Sequence, residues 1–487
     1  MSFSFFTYLE FTNEKRKDSI DMKVFSKFAL ISILSSAFIL SLSCEKKGES
    51  QSAQKEQTSK QDLIVITVNN GPKEGEDERI EEQKLQNKVF QKYYPNGLIE
   101  ASSWQFSPET FLSRMAIGTC TDVIGVFASD VLSIVEKGYA LDITDMIKEW
   151  ELFDQLRPEI IEPITRNGRI YGLPVGGIGG GYVMTLFYNK KLFKEAGVVD
   201  EKGEAKPPQT WEEFLEVAKN LTNRQKNVVG FGILGGDGAG WHFLNWVWQA
   251  GGDFEKKING KWIAVFDSPE AVKALEFIKD LKWKHNVLQA NVLTSNDDLF
   301  QLFVAEQIAM AIFTPEYLIY LVEKFKYPIE NIGITLLPAG PAGRANQMGG
   351  AYNIINPSTS KEKQKMAFNF ITFTYNLEWI EEQCKLLKQQ GRVFGFATLP
   401  IFKEEYQSKI DAIVDKYRTV PTDTKLMAEA TKYVHPEPPY YCQQLYYEIL
   451  TPIIQAVLTD KNANCEKLLK NGVKTFQTKF LDKVEQQ

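Results

Sequence analysis

The sequence predicts an α/β protein made of two units, each a mainly parallel sheet flanked by helices. Three observations support this prediction. The chain has 487 residues, which is too long for one ordinary core and suggests two or three domains. Short β-branched runs alternate with helical stretches, as in a parallel sheet covered by helices on both faces. A second series of this kind begins after a glycine-rich segment, GGIGGG, at 176–181.

The first unit begins with a β-branched run at 62–68, which predicts a buried strand ending at the turn signal Asn-Asn-Gly-Pro. A charged helical stretch follows at 76–93, and the apolar run at 122–127 predicts another buried strand. Ligands bind at the carboxyl ends of parallel strands. The loops after these strands therefore supply four candidate pocket residues: Asn70, Trp104, Ser129 and Asp130.

The second series of elements follows the glycine-rich segment. A strand is predicted at 182–188, and Thr210 is the expected N-cap of a helix. Another glycine-rich stretch leads into the aromatic helix WHFLNWVW at 241–248. Aromatic residues at helical spacing usually pack into a core, so we expect Trp246 and Trp248 to be buried there.

Composition and charge exclude several functions. The chain is 44% apolar and 24% charged, which is a globular balance. Its net charge of -6 argues against a nucleic-acid partner. Only three histidines are present and no C-x-x-C occurs, so we predict no metal, redox centre or other cofactor. The cysteines that follow the N-terminal region are expected as buried free thiols, although three disulfide pairings are conceivable: Cys120, Cys384, Cys442 and Cys465.

The N-terminal region is typical of an export signal. Lys23 and Lys27 precede an apolar run that stops at Cys44 and is too short for a comfortable membrane span. The stretch LSLSC resembles a bacterial lipobox, so residues 22–43 are expected to be a lipoprotein signal peptide and Cys44 the lipidated residue. An ordinary secreted protein with a chance cysteine is the alternative. Residues 1–21 are interpreted as an over-long gene start and 44–61 as a flexible tether.

Several sequence blocks, in order, carry a family resemblance. RIYGLPV at 169–175, LFYNKKLFKEAGV at 186–198 and PPQTWEEF at 207–214 are the most specific. TDVI, QAGGDF, SPEAVKALEFIKDL and FVAEQIAMAIFTPEYL fit the same series. With these blocks the chain resembles the extracellular solute-binding proteins of ABC importers, in the sugar-binding group that includes maltose-binding protein.

The resemblance implies the two-lobed periplasmic-binding-protein fold, of the Venus-flytrap, class II-like type. One lobe would comprise 62–178 and 352–399, the other 179–351 and 400–487. The lobes would close on a small solute, most simply a sugar, and deliver it to ABC permease subunits. No enzymatic activity is implied. A monomer, anchored to the membrane only through its lipid and facing the periplasm or the cell exterior, is expected.

The resemblance also implies chain crossings between the lobes, at the glycine-rich segment and near 349–352 and 398–400. The glycines would act as hinge and cleft lining, which makes Gly177 and Gly350 candidate ligand contacts. A merely close-packed loop is the alternative.

Family correspondence further suggests individual ligand residues. Asp130 matches a hydroxyl-binding aspartate, with a helix N-cap as the alternative role, and Trp241 matches a ligand-contacting aromatic, with core packing as the alternative. Many relatives carry G-P-W where this chain has T-P-E-Y. Glu316 thus replaces the stacking tryptophan, so either Tyr317 supplies the platform or the ligand is not a standard sugar. Weaker candidates are Asn245 and Tyr352, while Arg392 is expected to be structural.

Two other function classes remain open at the level of sequence. An exported glycan-cleaving enzyme needs two carboxyl groups roughly 5–9.5 Å apart, and Asp130 with Glu316 is the only pair that suggests itself. A surface lipoprotein of the same fold that binds a protein or a non-sugar ligand is the second.

Overall fold

A computed structural model describes residues 62–178, 181–396, 398–420 and 424–484. The predicted signal peptide, Cys44 and the tether lie outside these residues. The strands are β1 Ile64–Val68, β2 Gly97–Ala101, β3 Val123–Phe127, β4 Thr165–Arg166, β5 Arg169–Ile170, β6 Gly172–Pro174, β7 Tyr182–Val183, β8 Thr185–Asn189, β9 Glu255–Ile258, β10 Lys261–Ala264, β11 Met310–Phe313, β12 Ile332–Leu336, β13 Asn346–Gly349, β14 Ala351–Ile355 and β15 Val434–His435.

Helices cover the sheets. The α-helices are Asp77–Tyr93, Pro108–Ala116, Val131–Glu136, Thr144–Lys148, Pro158–Ile161, Lys190–Glu195, Trp211–Leu221, Ala239–Ala250, Pro269–Trp283, Asn296–Val304, Tyr317–Ile319, Lys361–Phe373, Leu377–Gln389, Glu404–Tyr417, Thr424–Ala430, Cys442–Gln444, Thr451–Thr459 and Cys465–Lys479. Tyr320–Lys324 and Leu445–Leu450 are π-helical. In the described part of the chain, no helix combines the length and apolar character needed to cross a membrane.

The first sheet has the strand order β2-β1-β3-β14-β6. β1 runs parallel to β2 and β3, whereas β14 is antiparallel to both β3 and β6. The α/β class is confirmed, with a smaller parallel share than predicted. β14 runs the other way because the chain enters it directly from β13 in another sheet, with no crossover helix between them.

The second unit is built on the sheet β11-β8-β12, in which β8 is antiparallel to both neighbours. Single parallel bridges extend this sheet, for example from Gly232 to Ala311. A smaller sheet has the strand order β15-β13-β7. Its strands β7 and β13 adjoin two of the predicted chain crossings in sequence. The prediction of a mainly parallel second sheet is therefore wrong for its regular strands, because the return strands β11 and β12 both pair with β8 in the opposite direction.

The core of the first unit also takes up residues from far along the chain. Ile401, Phe402 and Ile410 are buried in one hydrophobic cluster with Ile66 and Val126 of the first sheet. Tyr406 donates a hydrogen bond from its hydroxyl to the Tyr375 carbonyl at 2.9 Å. The predicted lobe boundaries stay a prediction, and this packing favours a first lobe that extends beyond residue 400.

The three predicted crossings converge on one another. The chain passes from β6 to β7 through the glycine-rich segment and from β13 to β14 through Gly350. The Leu399 amide donates to the Gly181 carbonyl at 2.9 Å. Gly350 has a φ of 152°, and a Cβ placed there would lie 3.2 Å from the Gly181 Cα. A side chain at position 350 would therefore be strained and crowded, which is consistent with the predicted crossing.

The four cysteines among the described residues are free thiols, as predicted. Cys384, Cys442 and Cys465 are buried, and Cys120 is only half-buried. Burial raises the pKa of the Cys120 and Cys465 thiols to about 11 and that of Cys384 to about 12. These thiols are therefore expected to stay protonated and unreactive at neutral pH.

Asp122, at the start of β3, fastens the first sheet to the helix Lys361–Phe373. Its carboxylate accepts bonds from the Thr67 amide at 2.8 Å and from the Lys363 ammonium at 3.1 Å, and it also accepts from the Thr359 hydroxyl. Burial acts to raise the pKa of Asp122, but the bonds from Thr359, Thr67 and Lys363 outweigh it and hold the pKa below the ordinary value. The charged form therefore stabilises the fold.

We expect Asp122→Ala to lower the free energy of unfolding by about 1.5–3 kcal/mol at pH 7, since charged hydrogen bonds are lost. Because the folded pKa is depressed, this stabilisation is present above the unfolded pKa and disappears as the pH falls through the folded value. Urea unfolding at pH 7 and in acid measures the difference between the variant and the original chain. Asp267→Ala, at an exposed aspartate, serves as the control. An equal loss at both pH values would contradict the prediction.

Candidate functional site

The aromatic helix Ala239–Ala250 provides the central element of the site. It begins at Gly238, which has a φ of 90°, and all twelve of its residues are buried. Trp246 packs against Trp211 and Phe277 with ring centroids 5.3 and 5.5 Å apart. Trp248 stacks on His435 at 3.9 Å. The prediction that Trp246 and Trp248 are core residues is confirmed.

Trp241, at the start of this helix, is tied to a carboxylate that the sequence did not indicate. Its indole nitrogen donates to Glu437 Oε1 at 2.6 Å, and the Gln347 side chain donates to the same oxygen at 2.8 Å. Asn245 in turn fixes Gln347. Its side chain accepts a hydrogen bond from the backbone amide of Gln347 at 2.8 Å and donates one to Gln347 Oε1 at 3.2 Å. Asn245 is completely buried, so it positions Gln347 and is not itself accessible to a solute.

Asp130 lies in the turn that follows β3 and is joined to a distant part of the chain. Gln443 donates to its Oδ2 at 2.8 Å. Asp130 precedes the helix Val131–Glu136 but makes no capping hydrogen bond with its side chain, which removes the N-cap alternative. Ser129 contributes only a long contact of 3.5 Å to Asp130 Oδ2. Burial, with the charge of Glu437 adding to it, raises the pKa of Asp130 to about 7.

Glu316 and Tyr317 follow β11, and their side chains have different neighbours. Burial raises the pKa of Glu316 to about 7. Tyr317 is 2% exposed and packs edge-on against Phe300 and Phe313, with centroids 4.9 and 5.9 Å away. The suggestion that Tyr317 replaces the missing tryptophan as a stacking platform is therefore wrong, because its ring is enclosed by other core aromatics.

Tyr182, which the sequence analysis did not select, lies beside Trp241. Its ring stands edge-on to that of Trp241, with centroids 6.4 Å apart. Burial is the main cause that raises the pKa of its hydroxyl well above the ordinary value, and the nearby carboxyl groups of Glu316 and Glu437 raise this pKa further. Tyr182 thus lies within electrostatic range of both carboxyl groups. Its position in β7, directly after the glycine-rich segment, is the only sequence signal that could have found it.

The candidates of the first sheet serve mainly to organise its own loops. The Asn70 side chain accepts from the Phe106 amide at 2.8 Å and donates to the Gly125 carbonyl at 3.3 Å. Trp104 donates to the Thr110 hydroxyl at 3.1 Å. Both ends of the Asn70 side-chain amide are thus engaged within the first unit.

Gly177 and Tyr352 are also buried, and Arg392 is paired. Gly177 has a φ of 82°, and a Cβ there would lie 3.0 Å from Gln383 Oε1, which fits the alternative of a close-packed loop. The Tyr352 hydroxyl donates to the Ile160 carbonyl at 3.1 Å. Arg392 pairs with Glu323 at 3.2 Å, as expected for a structural arginine.

The structure therefore brings together part of the predicted set. We call Asp130, Tyr182, Trp241, Glu316 and Glu437 the cleft cluster. Glu437 couples it electrostatically to Asp130 and Tyr182. These residues come from widely separated segments, and they combine aromatic faces with planar carboxyl groups. Within the described residues, no group of three or more His, Cys, Asp or Glu side chains is arranged to hold a metal ion.

The raised carboxyl pKa values predict a pH-dependent gain in stability for two variants. The folded protein binds more protons than the unfolded chain between about pH 4 and pH 7, so stability falls as the pH rises through 7. The charges that face Asp130 are those of Glu437 and Glu109. We expect Asp130→Asn and Glu316→Gln each to raise the free energy of unfolding by about 1–2 kcal/mol at pH 8 and to have no effect below about pH 4.

Thermal unfolding of the solute-free protein across this range measures these gains. Asp267→Asn is the exposed control and should show no such change. Destabilisation of both carboxyl variants at pH 8 would contradict the prediction.

Comparison with solved structures defines the class of fold. An ABC transporter solute-binding protein of Thermotoga lettingae, solved with α-D-tagatose, is 21% identical, has a TM-score of 0.64, and is matched over 86% of this chain and 99% of its own. The maltose-bound MalE3 protein of T. maritima is 24% identical, with a TM-score of 0.64 and coverage of 85% and 99%. The chain thus has the two-lobed fold of periplasmic binding proteins.

The family follows from a direct sequence match. The chain belongs to the bacterial extracellular solute-binding proteins, whose family model matches residues 78–379. A binding protein of Brucella abortus (strain 2308) is 23% identical over 320 residues, which is 65% of this chain and 70% of the relative. The predicted family and its general function, solute binding for an ABC transporter, are confirmed.

Proposed function

We propose that the protein binds a sugar or a related small hydroxylated solute between its lobes and delivers it to the permease of an ABC importer. The observation that carries this proposal is the cleft cluster. Aromatic faces suit the apolar CH surfaces of a sugar ring, and carboxyl groups suit its hydroxyls. The two structural neighbours were solved with tagatose and maltose, which supports the same solute class.

Closure of the lobes is the proposed mechanism. Asp130 follows a strand of the first sheet, whereas Trp241 and Glu316 come from elements of the second unit. A solute that contacts both sides favours the closed arrangement over an open one, in proportion to its difference in affinity for the two. Gly350 and Gly181 supply the backbone freedom for this motion. Such a function needs no nucleophile or general base, so we infer that the protein is not an enzyme.

The attachment and assembly of the protein are further parts of the proposal. Membership of an extracellular family supports export. We infer anchoring through a lipid on Cys44, with residues 44–61 as the tether, and a monomer as the working state because one cleft suffices. Mass spectrometry of the membrane fraction would detect a diacylated Cys44.

A thermal-shift screen tests the solute class. The chain from Glu45 onward contains all the residues that the structure describes. A solute that binds only the folded state, at a hundredfold excess over its Kd, stabilises it by about 2.7 kcal/mol. We expect a rise in Tm with one class among mono- and disaccharides, sugar phosphates, polyols and polyamines. No rise with any solute would favour a partner-binding lipoprotein, and release of glucose from an oligosaccharide would reveal an enzyme.

A further inference from the structure

The carboxyl groups of the cleft cluster have no basic partner. Among the described residues, neither Asp130, Glu316 nor Glu437 forms an ion pair, and their hydrogen-bond donors are neutral side chains such as Gln443 and Trp241. The next charge that acts on Asp130 is again negative, that of Glu437. Asp122, a structural carboxylate of the first sheet, instead has the Lys363 ammonium group at 3.1 Å. Three carboxyl groups without a basic partner among the described residues thus lie where the solute is proposed to bind.

Two further buried polar atoms of this region lack a hydrogen bond of ordinary geometry within the described residues. Thr314, in the loop that leads to Glu316, is 1% exposed, and its hydroxyl lacks a hydrogen bond of ordinary geometry within the described residues. It is nevertheless close enough to act on the Glu316 carboxyl. Glu255 is 6% exposed, and its Oε1 is likewise without a partner there. Glu255 lies close enough to Cys442 to act on its thiol together with Glu437 and Asp130. Burial raises the pKa of Glu255 well above the ordinary value, so it is a further carboxyl group of this region that lacks a compensating cation in the described part of the chain.

The aromatic rings add a second kind of attraction for positive charge. The edge-on pair of Tyr182 and Trp241 lies beside the Glu437 carboxylate, because the Trp241 indole donates to it. A cation over the face of a tryptophan or tyrosine is attracted by the ring electrons, and desolvation strengthens that attraction. Carboxylates combined with aromatic faces are the chemistry that recognises protonated and quaternary amines.

We propose that the solute carries a positive charge, as an amine on a small hydroxylated body such as an amino sugar, and that the cleft cluster binds this amine. The inference rests on the proposed function, whose cleft it uses, and narrows its solute class. Without a positive charge nearby, burial favours the protonated form of all three carboxyl groups. A bound amine compensates one of them and holds the others in their ionised form. Glu316, a carboxyl group without an ion pair among the described residues, is the residue most directly explained.

Calorimetric titration with matched solutes tests the proposal, using the chain from Glu45 onward at pH 7. The probes are the glucosamine disaccharide of chitosan, its neutral counterpart cellobiose, choline and calcium chloride. We expect the amine-bearing disaccharide to bind at least tenfold more tightly than cellobiose. Its binding should release protons to the buffer, because Asp130 and Glu316 ionise beside the bound amine. Titrations in buffers of different ionisation enthalpy measure that release.

Isosteric variants locate the effect. Glu437→Gln keeps an oxygen for the Trp241 indole and should lose the tenfold preference, and Glu316→Gln should weaken it. Glu330→Gln, at an exposed glutamate, should leave it unchanged. Far-ultraviolet circular dichroism and Tm establish that each variant is folded.

The other outcomes separate this inference from the proposed function. Equal or tighter binding of cellobiose would overturn the inference and leave solute transport intact. Binding of calcium alone would also overturn it, in favour of a metal site. Binding of neither sugar nor amine by folded protein would overturn both the inference and the proposed function.

Discussion

Trp241→Ala should abolish solute-induced stabilisation and also lower the free energy of unfolding by about 3–5 kcal/mol. The indole is 8% exposed and is held by its bond to Glu437 and by the edge-on contact with Tyr182. Its removal leaves a cavity and frees the Glu437 carboxylate from its donor. Solute affinity should fall because both the aromatic face and the orientation of this carboxylate are lost. Chemical denaturation and calorimetry on the same samples measure the two losses.

The matched control lies in the same helix. Trp246 is 4% exposed and packs on Trp211 and Phe277, on the core side. Trp246→Ala should therefore destabilise the protein by a similar amount while the folded fraction keeps its Kd. If both variants lost affinity equally, general loosening would explain the result and Trp241 would not be a binding residue.

Gly240→Ala is expected to produce the second large effect, although alanine normally stabilises a helix by about 1 kcal/mol over glycine. A Cβ at position 240 would lie 2.3 Å from the Tyr446 carbonyl oxygen and 2.8 Å from the Thr451 nitrogen. Both are backbone atoms, so the segment Leu445–Leu450 has to move as a whole. Overpacking of this kind costs about 1–3 kcal/mol and occasionally more, which exceeds the propensity gain.

A second consequence of this substitution is loss of solute affinity, because Gln443, which holds Asp130, lies just before the displaced segment. Gly260→Ala is the control. It lies in the turn between β9 and β10 with a φ of 82° and no neighbouring atom within 4 Å, so only the conformational cost of about 1–2 kcal/mol applies. Gly260→Ala should therefore leave the solute Kd unchanged, and an unchanged Kd in Gly240→Ala as well would refute the steric argument.

The sequence was informative wherever structure depends on local pattern. The strand predicted at 62–68 is found at Ile64–Val68, and the helix predicted at 76–93 is found at Asp77–Tyr93. Thr210 caps its helix by accepting from the Glu213 amide at 3.2 Å. Strand direction was less predictable, because β8 and its neighbours are separated by more than a hundred residues and no local pattern encodes how they pair.

The site illustrates the same limit. Asp130 and Trp241 were found through family correspondence, and the structure joins them electrostatically through Glu437. Glu437 itself follows a strand of only two residues and lies between two prolines. Neither hydrophobic periodicity nor one of the sequence blocks shared with the family therefore marks it as a site residue. Asn70 and Asn245 look like ligand residues by type and position. Their amides are instead used up by buried backbone and by Gln347, which only the tertiary structure reveals.

The position of β14 has a consequence for how the chain acquires its structure. β14 lies between β3 and β6 in the first sheet, yet it follows the whole of β7 to β13 in sequence. The inner part of that sheet therefore cannot form until Ile355 has been synthesised. Pairings between such distant segments form slowly. A delay of this kind keeps a newly made chain unfolded for longer, which suits the export proposed for this protein, because a translocation channel accepts an unfolded polypeptide.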